Sequence, residues 1–327
     1  MRRPKRKTKS KAKAARSRSR AKTAKSKSRT AARPRSRAKA KGRPSARKAK
    51  SARARLRTRR TRPRARVARF GTALAAADAT TIDQIIRTAA NSAIARFDWP
   101  PNRGVAPKGY MKGMALTFAR VLCKLRAGDA AATEMAKAKT GNASNDALVR
   151  YDDTFSSLGM RNDVAGADTL RHLFALMIGH GMLEASGRHC VGRDTSAGNT
   201  NANDAEAGLF QTAFNAKSAS SVLPALFEHY RANPSSGFLE VFKEGVRRCA
   251  PSDAINHGSG PGKEFQRLSK ECPAFCVEFA AVVLRNRPNH YGPIKRHEAL
   301  VKADADRMLR DVQNLVEASP HLCAALS

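Results

Sequence analysis

The sequence predicts a mainly α fold: one helical domain with a small β-hairpin, preceded by a disordered basic tail. Three observations predict it. Lys and Arg are crowded into the N-terminal fifth of the chain. Apolar residues recur at helical spacing through the rest. Gly- and Asn-rich stretches separate the periodic segments.

The 327 residues carry a formal net charge of +37, unevenly placed. Residues 1–70 hold 33 Lys and Arg and no Asp or Glu, which leaves 30 basic and 26 acidic residues for 71–327. Large apolar residues are scarce in 1–70, Leu56 and Val67 among the few. Such a segment buries too little surface to offset its ordering entropy, and its charges repel one another. Short words recur in it (KSK, SRSR, RAKAK), a compositional likeness to linker-histone tails that carries no fold information. The composition predicts a tail over 1–70 that binds polyanions such as nucleic acid, teichoic acid or lipopolysaccharide. With no aromatic residue before Phe70, its binding is expected to ignore base sequence and to weaken steeply with salt. Residues 71–327 are enough for one sizeable core or two small ones.

Along the domain, Ile82, Ile85, Ile86, Ala89, Ala93 and Phe97 form a first helical stripe, with Thr80 and Thr81 near its start and Trp99-Pro100-Pro101 at its end. Met111, Met114, Phe118, Val121, Leu122 and Leu125 form a second stripe. Leu170, Leu173, Phe174 and Met177 form a third. Residues 139–165 read as a loop with a short helical piece, 188–203 as turns or a hairpin, and 250–262 as a loop. Further helices are expected over 205–217, 219–232, 236–249, 263–286 and 293–317, Pro293 suiting the first turn of the last.

No secretory signal and no membrane-length apolar run is seen, so synthesis in the cytoplasm with action at the cell envelope is one expectation. The six cysteines, Cys123, Cys190, Cys249, Cys272, Cys276 and Cys323, permit disulfides, although scattered buried thiols are the simpler reading. No cofactor fingerprint is present and no metal is expected, since His172 and His180, two turns apart, lack a third ligand. Trp99 and Tyr110 read as core residues, with sugar stacking the lesser alternative.

The segment LRHLFALMIGHGMLEASGRHC is the most informative. Taken alone, its one acid reads as an ordinary helix-surface carboxylate with Gly187 as a cap, and the functional reading rests on its environment. An apolar helix runs to its end and presents one carboxylate, Glu184, ahead of Gly187. Partial burial raises a carboxyl pKa until it holds a proton near neutrality, which is what a general acid for a glycosidic oxygen requires. Downstream stands AGLFQ. The order of apolar helix, Glu184, Ser186, polar turn and Gly208-Leu209-Phe210-Gln211 resembles the lysozyme-like superfamily, lytic transglycosylases and goose-type lysozymes above all. Ser186 is displaced by one residue from the family's Glu-Ser pair, and Phe210 stands where the family has Met. The family's Tyr-Asn-Ala-Gly turn has two candidates, at Asn256-His257-Gly258 and Tyr291-Gly292.

The resemblance implies Glu184 as catalytic acid, and Gly208, Gln211, Ser186 and Asn256 or Tyr291 as residues lining a sugar cleft. Peptidoglycan or a related glycan is the substrate it implies. Asp194 is the candidate second carboxylate, with Asp204 and Glu206 as rivals, Asp204 reading more as a helix cap. Two other readings stand beside this one: a nucleic-acid-binding protein with a non-catalytic helical module, and an inactive lysozyme-like fold retained for glycan binding.

Overall fold

The computed structural model describes residues 65–327 except 196–200, 248 and 327, with side chains from residue 78 onward. The domain is mainly helical with one two-stranded sheet. Residues 1–64, most of the expected tail, lie outside the described residues. Helix α1 (Ala65–Asn91) begins six residues before the expected boundary. The Ala-rich stretch around Ala73–Ala77 is strong helix former, and a helix once nucleated extends cheaply in both directions.

After α1, β1 (Asp98–Trp99) pairs antiparallel with β2 (Gly104–Val105), Trp99 opposite Gly104. This is the domain's small hairpin, and it lies far upstream of the expected position over 188–203. Residues 188–195 form turns without strands. Next come α2 (Lys108–Arg126), α3 (Ala130–Ala136), α4 (Ala147–Arg150), α5 (Asp152–Ser157) and α6 (Ala167–Ala185). The two short helices α4 and α5 fall in the segment read as a loop with a helical piece. The chain continues through α7 (Leu223–Ala232), α8 (Leu239–Phe242), α9 (Gly260–Glu271), α10 (Pro273–Asn286), α11 (Gly292–Lys295), α12 (Ala303–Ala318) and α13 (Leu322–Leu326).

Four expected helices are interrupted, each for a local reason. The 205–217 segment is a turn closed by a bridge between Ala207 and Thr212, followed by a 3-10 turn over Phe214–Ala219. Gly208 has φ +78 and Gln211 φ +46, left-handed conformations that no helix contains. The 236–249 segment keeps only α8, bounded by the left-handed Phe238 (φ 56) and Gly245 (φ 79). The 263–286 segment divides at Pro273, which removes a donor and turns Cys272 out of the helical region (ψ 70). The 293–317 segment stops at His297 (φ 58) and resumes at Ala303.

Helices α2, α6 and α10 form the centre, buried over most of their lengths. α6 is apolar on all sides because α2, α3, α11 and α12 surround it. Trp99 (2% exposed) and Tyr110 (0%) are core residues as expected, and the Tyr110 hydroxyl donates to the carbonyls of Met177 (3.2 Å) and Ile178 (2.9 Å) on α6. Two charged clusters are buried in the core with their partners. Arg285 holds Asp146 through Nε (2.9 Å) and Nη2 (3.0 Å) and also donates to three carbonyls between Met135 and Ala138. Glu278 accepts from Arg120, Lys124 and Tyr230.

The thiol reading is corrected for four of the six cysteines. Cys123 pairs with Cys323, tying α13 to α2, and Cys190 pairs with Cys249. Cys272 and Cys276 are buried free thiols, pushed by burial to about 11 and about 12. No described helix is long and apolar enough to cross a membrane.

Candidate active site

Helix α6 delivers Glu184 to the surface. Its last turn ends where Ser186 (φ 51) and Gly187 (φ 67) adopt left-handed conformations, and the Gly187 N–H donates back to the Gly181 carbonyl at 3.2 Å. That is a glycine-assisted helix stop. Glu184, one turn inside it, is half-buried and faces a cavity of about 580 Å³. The cavity is lined by Pro101 and Arg103 from the β1–β2 turn, Leu183 of α6, Pro293 of α11, and Arg296 and Glu298 beyond it.

Burial lifts the Glu184 carboxyl from its ordinary 4.5 to about 7. The nearby negative charge of Glu206 adds to this, while Arg103 and Arg296 oppose it. Among the described residues Glu184 takes part in no ion pair, and Arg296 spends its guanidinium on Glu298 at 2.7 and 2.8 Å. Desolvation therefore dominates, as it does for a carboxyl that must arrive protonated. Glu206 is half-buried as well, and its own pKa is raised, first by burial and then by the charge of Asp194. Three carboxylates thus form a chain of influence, from exposed Asp194 to Glu206 to Glu184.

None of Gly208 to Thr212 lines this cavity; Thr212 bonds Tyr291, which stands two residues before the lining Pro293. Gly208 donates its N–H to the Val191 carbonyl at 2.8 Å, and a Cβ there would come within 2.7 Å of the Ser269 carbonyl oxygen. Only glycine fits both that approach and the positive φ. Gln211 folds back, its Nε2 donating to the Gly208 carbonyl at 3.0 Å. Its neighbour Thr212 shares a 3.0 Å hydroxyl–hydroxyl bond with the buried Tyr291. Tyr291 packs edge-on against His180 (4.7 Å between ring centres), and the charges of Glu184 and Glu206 help hold its hydroxyl protonated after burial. His180, one helical turn before Glu184, is held neutral by burial, its pKa down at about 3.

No family model, no curated protein and no solved structure matches the chain.

The structure gathers some of the expected site residues and separates others. Glu184 and Tyr291 share one environment, and the Gly208–Gln211 turn reaches it through Thr212. Asp194 acts on Glu206, and Glu206 is the carboxylate that acts on Glu184. Asp204 accepts from the Asn215 side chain at 2.8 Å and caps no helix, since none follows it directly. Ser186 opens instead into a neighbouring groove beside Arg188. Asn256 lies in the loop before α9, where its neighbour His257 donates its backbone N–H to Gln266 at 2.8 Å. Sequence reasoning missed Arg103, Arg296 and Glu298, which have no spacing relation to Glu184.

His172 bonds Asn162 at 2.8 Å, whereas His180 packs between the rings of Phe210 and Tyr291 with both ring nitrogens buried and without a hydrogen-bond partner. His189, Cys190 and Cys249 lie close enough to share an ion, but the two sulfurs are joined to each other.

Proposed function

We propose that this chain is a lysozyme-like enzyme that cleaves the glycan strands of peptidoglycan, with Glu184 as general acid. The observation that carries the reading is a carboxyl lifted to about 7 by burial, at the mouth of a 580 Å³ cavity and at the end of an apolar helix. The order of Glu184, Ser186 and Gly208-Leu209-Phe210-Gln211, which resembles the lysozyme-like superfamily, supports it.

Near neutrality Glu184 holds a proton that it gives to the glycosidic oxygen as the C–O bond breaks. Glu206, with Asp194 behind it, supplies negative charge beside the developing positive charge on the sugar ring. The bond is completed by water or by the sugar's own 6-hydroxyl. The first route gives a hydrated end, and the second an anhydro end lighter by one water. Arg103 opposes the rise of the Glu184 pKa, which eases release of the proton as the bond breaks, and the Thr212–Tyr291 bond holds the Gly208–Gln211 turn in place.

The test is clearing of purified cell walls by Glu184→Gln beside the unaltered chain. A loss of roughly 10²–10⁴-fold is expected for a missing general acid. Unchanged clearing ends the reading, and product masses separate the two routes.

The tail serves this activity by concentrating the enzyme on anionic polymers. A second reading, a nucleic-acid-binding protein with a non-catalytic module, is favoured by the 33 cations and no acids of residues 1–70. It gains if walls are never cleaved while DNA is retained with a steep salt dependence.

A further inference from the structure

Next to the Glu184 cavity lies a larger groove of about 900 Å³. It shares two walls with that cavity. The hairpin that places Pro101 and Arg103 in the cavity continues to Val105 and Lys108 in the groove. The helix end that places Glu184 in the cavity continues to Ser186 and Arg188, and two residues of chain span no more than about 8 Å. The third wall is residues 244–247, after α8.

The groove is cationic on an apolar floor. Lys108, Arg188 and Arg247 line it, and none of the three is in an ion pair among the described residues. Its one carboxylate, Glu244, is neutralised by Lys112 at 2.6 Å. The 19-residue helix α2 starts here with no side-chain cap and no acid in its first turn, so its positive end adds to the field. Arg188 is braced by its Nε donating to the Ala185 carbonyl at 3.2 Å, which leaves the outer edge of the guanidinium for a ligand. The Cys190–Cys249 disulfide lies two residues from both Arg188 and Arg247 in sequence and so ties the two walls that carry them.

We propose that this groove is a subsite for carboxylate-bearing peptide branches of the glycan whose backbone lies at Glu184. The inference rests on the proposed glycosidase reading. Planar guanidiniums match carboxylates in a two-pronged geometry, and the floor of Val105, Ala106, Pro107 and Val246 suits short aliphatic side chains such as those of alanine-containing peptides. The general charge of the tail attracts the whole polymer. The groove instead selects which substituents sit beside the scissile bond.

The test uses the full chain at about 0.5 M salt, where screening of exposed charges within roughly 5 Å suppresses the tail. Peptide-bearing glycan strands are compared with strands stripped of peptide, for the unaltered chain, Arg188→Gln/Arg247→Gln and Arg188→Lys/Arg247→Lys. The Gln variant is expected to raise KM at least tenfold on peptide-bearing strands, with kcat unchanged and no KM change on stripped strands. The Lys variant is expected to recover part of the loss. Equal effects on both substrates, or none on either, overturn the subsite.

A second measurement keeps the subsite separate from the catalytic reading. Binding of a fluorescent acidic tetrapeptide to full-length Glu184→Gln, with and without the two Arg changes, reads the groove without cleavage. Arg-dependent peptide binding in a chain that never cleaves glycan sinks the glycosidase and leaves the groove a peptide site. Cleavage with no Arg-dependent binding sinks the groove alone.

Discussion

Glu206 presses on Glu184: after burial, its negative charge is the largest influence that holds the Glu184 proton near neutrality. The two residues are 22 apart in sequence, and neither would hold its proton in the same way alone.

Activity is therefore expected to fall as pH rises through about 7, where Glu184 loses its proton. In Glu206→Gln the opposing charge is gone, and the alkaline limb moves to lower pH. Arg103→Ala removes a stabilising cation and moves it to higher pH. Rates on soluble glycan strands between pH 4 and 9 measure all three. A limb that stays in place in both variants removes Glu184 from the role of acid.

Stability carries the same linkage with the opposite sign to an ordinary carboxylate. The folded chain binds the Glu184 proton more tightly than the unfolded chain, so this group's contribution to stability is full below 4.5 and is lost as pH rises through about 7. Glu184→Gln relieves that loss, and it is expected to stabilise the protein at pH 8 relative to pH 4 by about 3 kcal/mol at most. Thermal midpoints at the two pH values read the difference.

Tyr291→Phe leaves Thr212 without its 3.0 Å partner in a buried setting. A cost of about 1–3 kcal/mol is expected, with loss of activity beyond that of stability, because the Gly208–Gln211 turn loses its anchor. Denaturant midpoints beside kcat on the same preparation separate the two effects.

Breaking the Asp146–Arg285 pair by Asp146→Ala strands a guanidinium at 0% exposure, and roughly 3–5 kcal/mol is expected to be lost. Removing the Cys123–Cys323 bridge, which closes 200 residues, is expected to cost roughly 2–5 kcal/mol. Midpoints in urea for Cys123→Ser/Cys323→Ser test it, and a midpoint indistinguishable from the parent chain would count against the bond.

Much of the fold could be read from the chain because helices write their burial into local spacing. The stripe of Met111, Met114, Phe118, Val121 and Leu122 is buried as its period requires, and so is that of Leu170, Leu173, Phe174 and Met177. Boundaries were less legible. The turn at Gln211 and the left-handed Phe238 depend on what packs around them, and their residue types carry no warning of φ above zero. The cysteine pairs were not legible either, since partners 200 and 59 residues apart are brought together by the helices, not by any spacing of the cysteines.

The sequence by itself determined the mainly helical class, the division of charge between residues 1–70 and the rest, and the placing of one carboxyl at the end of an apolar helix. Those follow from nearest neighbours, through propensity, periodicity and Coulomb repulsion along the chain. Only the tertiary structure decided that Glu184 sits among Arg103, Glu206 and Arg296, that Tyr291 and not Asn256 stands behind it, and that Ser186 opens into a separate cationic groove. A pKa is set by what lies close in space, and folding brought Tyr291 and Arg296 to Glu184 from segments more than a hundred residues away in sequence.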